Sequence, residues 1–215
     1  MKSEAEPVLD NMKIESEREA YDREIYFGEM CGEKCALIVS GVGKVNAAAA
    51  TQFAIDRLNA DKIINVGVAG GVNSGTEIGE IYSILDCVQY DFDLVAINDT
   101  EIGTLNEYDT PFLPLDVAGN YPKRRLATGD RFNDNYEDYE LLTEDLLADI
   151  RDMEGGAIAH VCRHADIPCY IFKAISDVAM LGSTGEQFAQ NLKRCAEKIR
   201  GEIRNIFSAV KESSI

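Results

Sequence analysis

The stretch from Asp152 to Ala179 most constrains how this chain can fold, because a helix pattern in it leads directly into a strand pattern. Beyond Glu154, apolar residues recur at helical spacing, namely Ala157, Ile158, Val161, Cys162 and Ala165. The segment Cys169 to Ile175 is mostly apolar, which is typical of a strand buried on both faces. Ser176 and Asp177 follow it. Ligands gather at the carboxyl ends of strands in open α/β sheets, so Glu154 and Asp177 are each predicted at an element end where a ligand can bind.

Strand patterns alternate with helix patterns along most of the chain, which favours a three-layer α/β fold in one domain, residues 1–215. The other predicted strands are Glu24–Met30, Lys34–Ser40, Lys62–Val68, Ile78–Val88 and Arg124–Thr128. The predicted helices, besides the one after Glu154, are Met1–Met12, Val45–Leu58, Glu137–Leu147 and Glu186–Ile206. We interpret Glu15 to Arg23 as a charged, solvated segment. Tyr90 to Pro122 is predicted to be a long loop, which in a compact domain is usually functional or a subunit contact.

The net charge of -17 over 215 residues argues against nucleic acid or an anionic membrane surface as a partner, because both require a basic face. The chain contains no apolar run long enough to span a membrane and no basic-then-apolar leader. Six cysteines in a chain of this length do not form a disulfide scaffold. Reduced cysteines in a cytoplasmic protein are therefore expected.

Two glycine-rich turns invite comparison with phosphate-binding loops. Gly41 to Lys44 fails the P-loop pattern, because Ile38 stands where that pattern needs Gly and Val45 where it needs Ser or Thr. A tight turn with exposed amides remains, and such a turn can still contact a small polar ligand. Gly67 to Gly71 lacks the dinucleotide spacing and is interpreted as a close-packed turn, or as a place where the backbone approaches a ligand.

A metal site is not predicted. His160 and His164 share one helix face, but Cys162 does not, and the sequence shows no third ligand. The alternative is a helix with one buried cysteine and two peripheral histidines.

The candidate functional carboxylates are distinguished by their predicted settings. Asp177 follows an apolar strand, so burial is expected to raise its pKa and keep it protonated for general acid catalysis. Glu154, near a helix N-terminus, is expected to stay ionised and to accept hydrogen bonds from hydroxyls. Phe132 lies in a loop after Thr128-Gly129-Asp130 and is either a core aromatic or a ring that stacks on a flat heterocycle.

Seven segments in this order resemble the 5'-methylthioadenosine/S-adenosylhomocysteine nucleosidases of the nucleoside phosphorylase superfamily. They are MKSEAEPVL, SGVGKVNAAAA, IINVGVAGG, VQYDFD, ATGDRF, DMEGGAIAHVC and KAISDVA. The resemblance implies a nucleoside phosphorylase-like α/β/α sandwich with a central mixed sheet. It also implies a cytoplasmic homodimer that hydrolyses the N-glycosidic bond of a small-molecule nucleoside and needs no metal or organic cofactor.

The resemblance also assigns roles to residues. Asp177, in the ISD motif, would protonate purine N7, and Glu4, in the position of the A-M-x-x-E glutamate, would activate the attacking water. Glu154 would bind the ribose hydroxyls, and Phe132 would stack on the base. The further substrate-binding residues that it implies are Met1, Val68, Ala69, Gly70, Asn133, Asp152, Met153 and Ser176. Such chemistry passes through an oxocarbenium-like species and needs an acid on the base and a base on the water.

Some positions depart from the family pattern. The family opens with a buried strand before its A-M-x-x-E motif, and this chain starts at the Met of that motif, so either the sequence begins late or the first strand is missing. Asp152 replaces a longer acid, and Lys173 stands where many members carry Arg, which would lose bidentate contacts.

Three other functions remain as alternatives to this nucleosidase. They are a purine nucleoside phosphorylase, a futalosine-type hydrolase, and a nucleoside-binding protein without activity.

Overall fold

The strands of this protein form two separate sheets. The computed structural model describes residues 1–132 and 134–213. The small sheet is antiparallel and has the order β1-β2-β3, with β1 at Lys13–Ala20, β2 at Arg23–Met30 and β3 at Glu33–Ile38. The large sheet contains β4 (Ile63–Gly71), β5 (Ile81–Gln89), β6 (Leu113–Pro114), β7 (Lys123–Thr128), β8 (Ile150–Asp152) and β9 (Cys169–Val178).

The large sheet closes on itself. Its order is β6-β5-β7-β8-β4-β9, and β5 also pairs with β9. The β4–β9, β5–β7 and β7–β8 pairs are parallel, whereas β4–β8, β5–β9 and β5–β6 are antiparallel. The predicted mixed sheet is therefore confirmed, and five of its strands form a ring in which each pairs with two others.

Helices cover both faces of the large sheet, as the three-layer prediction requires. They are α1 (Lys2–Leu9), α2 (Lys44–Leu58), α3 (Val95–Asn98), α4 (Tyr136–Glu140), α5 (Gly155–Ala165) and α6 (Thr184–Ser213). Strand β9 is buried at every position and separates two apolar clusters. Ile171 and Ile175 pack with Ile158 of α5, whereas Phe172 packs with Ile199 of α6. None of the helices described combines the length and apolarity that crossing a membrane requires.

Two predicted elements differ in the structure. Glu15 to Arg23, interpreted as a solvated segment, lies mostly in β1, whose residues are nearly all exposed because only β2 covers the strand. A period-2 apolar signal is absent there, so the pattern could not reveal the strand. The predicted helix Glu137–Leu147 is divided into α4 and a wider π-helical turn at Leu141–Asp145.

An opening lies between the two sheets. Strands β3 and β4 are joined through α2, a connection that usually places parallel strands in one sheet, yet they lie in different sheets here. Among the described residues, the second edge of β3 is unpaired, and β4 gains a partner on that side only at Gly70 and Gly71. Ile63 to Val66 are consequently only half-buried.

A buried ion pair joins two strands of the large sheet. Lys173 of β9 is 2% exposed, and its Nζ lies 2.8 Å from Oδ2 of Asp152 at the end of β8. The same carboxylate accepts hydrogen bonds from Thr128 Oγ1 at 2.6 Å and from the Gly155 amide at 2.8 Å. Burial alone would lower the pKa of Lys173, but Asp152 and Glu154 outweigh it, so that pKa lies above the usual lysine value. The ammonium group therefore stays charged inside the protein.

Removing one partner of this pair should destabilise the fold strongly. We expect Lys173→Met to lower the free energy of unfolding by about 3–5 kcal/mol, because it leaves the Asp152 carboxylate buried without a countercharge. The double variant Lys173→Met/Asp152→Asn should recover part of that loss. Urea unfolding followed by circular dichroism measures both effects.

Lys198→Met is the matched control, because Lys198 makes an exposed ion pair with Glu80 at 3.3 Å. Its effect should stay within about 1 kcal/mol. Equal losses in Lys198→Met and Lys173→Met would contradict a special role for the buried pair.

Candidate active site

One cavity of about 1460 Å³ lies between α1, the start of α2, strand β4 and the end of β9. Every predicted site residue that the structure describes lines it. These are Met1, Glu4, Val68, Ala69, Gly70, Phe132, Asp152, Met153, Glu154, Ser176 and Asp177. Asn133, which was also predicted to bind substrate, lies outside the described residues. The cavity is larger than an ordinary ligand pocket because it continues into the opening between β3 and β4.

Two glycines of β4 bring two carboxylates against the strand. A Cβ at Gly67 would lie 2.8 Å from Glu4 Oε1, and a Cβ at Gly70 would lie 2.7 Å from Asp177 Oδ2. Any larger residue would displace these carboxylates. The glycine run therefore permits a close approach of these side chains to the backbone. It belongs to strand β4, so the prediction of a turn at Gly67 to Gly71 is wrong, and the approach of a ligand there stays a prediction.

Glu4 is fixed by the first turn of α1 and by strand β4. Its Oε1 accepts a hydrogen bond from the Val68 amide at 2.8 Å, and its Oε2 pairs with the α-amino group of Met1. Its side chain is 15% exposed. A carboxylate held in this way faces the cavity at the carboxyl end of β4, where a bound molecule or water can reach it.

Asp177 is buried at the end of β9, with 1% of its surface exposed. The Ser176 hydroxyl donates a hydrogen bond to its Oδ1 at 2.6 Å, whereas its Oδ2 is buried and makes no hydrogen bond with any described residue. Burial raises the pKa of Asp177, and the Ser176 hydrogen bond and the charge of Arg151 only partly oppose this rise. The direction predicted from the sequence is thus confirmed, and its cause is the predicted one, burial.

Glu154 is the N-cap residue of α5, but its side chain makes no capping hydrogen bond with the described helix. Its Oε1 accepts a hydrogen bond from the Gly43 amide at 2.9 Å, which links α5 to the loop before α2. Burial and the neighbouring Asp152 raise its pKa, while Lys173 and the Gly43 amide act in the opposite direction. The prediction that Glu154 ionises readily was based on the helix N-terminus alone. It did not take into account that the Glu154 side chain is partly buried beside the Asp152 carboxylate.

Two amides of the loop from Gly41 to Lys44 donate hydrogen bonds to carboxylates. Besides the Gly43 contact with Glu154, the Lys44 amide donates to Asp130 Oδ1 at 2.8 Å. The Lys44 ammonium pairs with Asp91, whose other oxygen accepts from the Asp130 amide at 2.9 Å. Carboxylates of the protein therefore accept hydrogen bonds from two of the amides that the sequence analysis had considered available to a small polar ligand.

Phe132 is not a core aromatic. It is 54% exposed, lines the cavity and meets Phe188 of α6 edge to face at 5.9 Å between ring centroids. An exposed ring at the wall of a cavity can stack on a flat molecule.

Sequence reasoning missed the positioning roles of Lys173 and Gly67. Lys173 was treated only as a departure from arginine. A lysine inside a mostly apolar strand was nevertheless a signal, because a buried charge requires a partner. The contact between Gly67 and Glu4 joins parts of the chain that are distant in sequence, so no local sequence pattern predicts it.

Several known proteins are similar to this chain in both sequence and fold. The family model described as Phosphorylase superfamily matches residues 1–208. A Campylobacter jejuni protein named aminodeoxyfutalosine nucleosidase is 30% identical over 190 residues, covering 83% of this chain and 83% of its own. The 5'-methylthioadenosine/S-adenosylhomocysteine nucleosidase of Bacillus subtilis is 32% identical over 192 residues, covering 80% and 78%.

A solved structure agrees with these relatives. The 5'-methylthioadenosine/S-adenosylhomocysteine nucleosidase of Colwellia psychrerythraea, solved in complex with adenine, is 25% identical and superposes with a TM-score of 0.88. The superposition covers 97% of this chain and 92% of that one. With a family match over nearly the whole chain, a shared fold and a cavity lined by the residues of the shared motifs, this chain belongs to the phosphorylase superfamily.

Proposed function

We propose that this protein is a nucleosidase that hydrolyses the N-glycosidic bond of 5'-methylthioadenosine or S-adenosylhomocysteine and releases adenine. The observation that carries the proposal is that Glu4, Glu154 and Asp177 line one cavity although they are far apart in sequence. The names of the Bacillus and Colwellia relatives support the reaction and the substrate.

Asp177 is the general acid of the proposed reaction. Cleavage of the glycosidic bond leaves electrons on the purine, and a proton at N7 makes the purine a better leaving group. A carboxyl group whose pKa is raised by burial keeps that proton to a higher pH than an exposed aspartate would. Its Oδ2, without a hydrogen bond among the described residues, is the oxygen that would donate it.

Glu4 is the base that activates the attacking water. It faces the same cavity from the side of α1, and the Val68 amide orients its carboxylate. The water oxygen would attack the sugar carbon as the bond to the purine breaks. An acid and a base on different elements allow both proton transfers in one site.

The other cavity residues bind the two halves of the substrate. Glu154 accepts hydrogen bonds from the ribose hydroxyls and is positioned by the Gly43 amide. Phe132 stacks on the base, and Met1 and Met153 flank the sugar. Asp152 acts differently from the other predicted substrate-binding residues, because Thr128, Gly155 and Lys173 already engage its carboxylate. Its role is to position the neighbouring Glu154.

The loop contacts favour hydrolysis over phosphorolysis. A phosphorylase must hold a phosphate anion beside the sugar, and backbone amides of a glycine-rich loop are suitable donors. In this protein the Gly43 and Lys44 amides bind carboxylates instead. Further negative charge next to Glu154 and Asp130 would be repelled.

The relatives leave two choices for the 5' substituent. The Campylobacter relative is named for aminodeoxyfutalosine, and those of Bacillus and Colwellia for methylthioadenosine and adenosylhomocysteine. Aminodeoxyfutalosine is therefore a second candidate substrate for the same reaction. Comparing kcat/KM for the three nucleosides identifies the preferred one.

The deciding experiment measures adenine release from methylthioadenosine with and without phosphate. We expect turnover that is independent of phosphate, because water is the proposed nucleophile. Release that requires phosphate would indicate a phosphorylase. Adenine binding in calorimetry without any product release would indicate a binding protein.

Asp177→Asn provides the control for the assigned acid. Its side chain cannot supply the proton, so turnover should fall by roughly 10²–10⁴-fold while the circular dichroism spectrum is retained. Asp145→Asn changes an exposed acid and should leave turnover unaffected. Full activity in Asp177→Asn would refute the assignment.

Ser176→Ala should shift the pH profile of kcat/KM. The protonated form of Asp177 is active, so activity falls as pH rises through its pKa. The Ser176 hydrogen bond lowers that pKa by stabilising the ionised form. Its removal should move the basic limb to higher pH, whereas the exposed Ser74→Ala should not move it. A basic limb at unchanged or lower pH would contradict the coupling.

We further propose a homodimer in the cytoplasm. Large apolar side chains are exposed at the start of α2 and on α3, where Val45 and Ile97 are 79% and 78% exposed. The α3 residues belong to the long loop predicted as a subunit contact. All six cysteines are free, as expected in a reducing compartment. Sedimentation velocity should show a dimer that Val45→Asp/Ile97→Asp dissociates, and a monomeric parent protein would contradict the proposal.

A further inference from the structure

Both histidines of the chain lie in one cluster on α5. The sequence contains only two, His160 and His164. One helical turn separates them, their ring centroids are 4.6 Å apart, and their Nε2 atoms are separated by 2.9 Å. His160 is half-buried and His164 exposed. The two imidazoles thus direct the same ring nitrogen to one point.

The fold supplies the third group that the sequence did not show. Glu107, from the loop between α3 and β6, brings a carboxylate oxygen to the same point, and the three candidate ligand atoms all lie within 4.8 Å of one another. Nothing in the local pattern around α5 predicts this contact, because more than fifty residues separate Glu107 from His160.

Neighbouring side chains hold the histidines in place. The Tyr108 ring packs against both imidazoles, at 6.0 and 6.4 Å between ring centroids. The Gln89 side-chain nitrogen Nε2 lies 3.4 Å from His160 Nδ1. Rotating this amide by 180° exchanges its nitrogen and oxygen, and Gln89 would then accept the Nδ1 proton and leave His160 Nε2 with a free lone pair. A partner on the second ring nitrogen is a usual feature of histidines that bind metals.

We propose that His160, His164 and Glu107 bind a zinc ion. Two imidazole nitrogens and one carboxylate oxygen are a common ligand set for Zn²⁺, with water in the fourth position. Nitrogens about 2.0–2.1 Å from a tetrahedral zinc are roughly 3.3 Å apart. The two Nε2 atoms therefore need to separate by only a few tenths of an ångström. Glu107 moves inward, which its exposed position allows.

The role of this site is structural. Zinc would join the long loop to α5, the helix whose first residues follow Glu154. Neither histidine is among the described residues that line the active-site cavity. The proposal therefore does not depend on the assigned reaction, and zinc stabilises the fold by binding only its folded state.

Calorimetric titration of untagged, chelator-treated protein with zinc chloride tests the proposal. We expect one zinc ion per chain and a higher Tm in its presence. Loss of an imidazole ligand in His164→Gln or His160→Gln should weaken binding by at least tenfold. Loss of the carboxylate in Glu107→Gln should weaken it by a smaller factor.

Matched variants separate this site from other binding. Glu101→Gln removes an exposed acid from the same loop, and Cys31→Ser/Cys35→Ser removes the two half-buried thiols. Both should bind zinc like the parent protein. Absence of zinc binding in the parent, or unchanged affinity in both histidine variants, would overturn the proposal. Loss of binding only in the cysteine variant would assign the zinc to the thiols and overturn it equally.

Discussion

The ion pair between Lys173 and Asp152 fixes the geometry on which the candidate site depends. Each partner lies near a candidate functional carboxylate in sequence, since Asp152 precedes Glu154 and Lys173 precedes Asp177. The pair therefore links the end of β8 to the middle of β9 and fixes the carboxylates relative to one another. Its ammonium also faces the negative charges of Glu154 and Glu4. The buried Lys173 ammonium thus offsets the electrostatic repulsion among the acids Asp152, Glu154 and Glu4, which lie around one cavity.

The acids of the site acquire different properties from the same few elements. Asp177 is buried and has a hydroxyl partner on one oxygen only, whereas Glu4 is oriented by a strand amide. Glu154 reaches across to the loop before α2. The differences arise from which backbone and side-chain groups each carboxylate contacts. The glycines of β4 are necessary for two of these contacts, because they let side chains approach the strand closely.

Much of this arrangement could be predicted from the sequence where the signal is local. The apolar run of β9 and the helical spacing of α5 predicted the two elements, and the position of Asp177 after a buried strand predicted the direction of its pKa shift. The motif resemblance predicted which residues line the cavity. Local patterns failed for β1, where both faces are solvated, and for Glu154, where a neighbouring acid and burial outweigh the helix N-terminus. They also could not show contacts that the fold alone creates, such as Glu107 beside the histidines.

The two sheets end in edges that are protected in different ways. The outer strand, β1, is rich in charged residues such as Glu17 and Arg18, and charges on an edge discourage pairing with another molecule. The facing edges of β3 and β4 line the cavity instead, so their position between the two sheets limits access from outside. A motion that widens the gap between the sheets would therefore expose these two edges to an added strand.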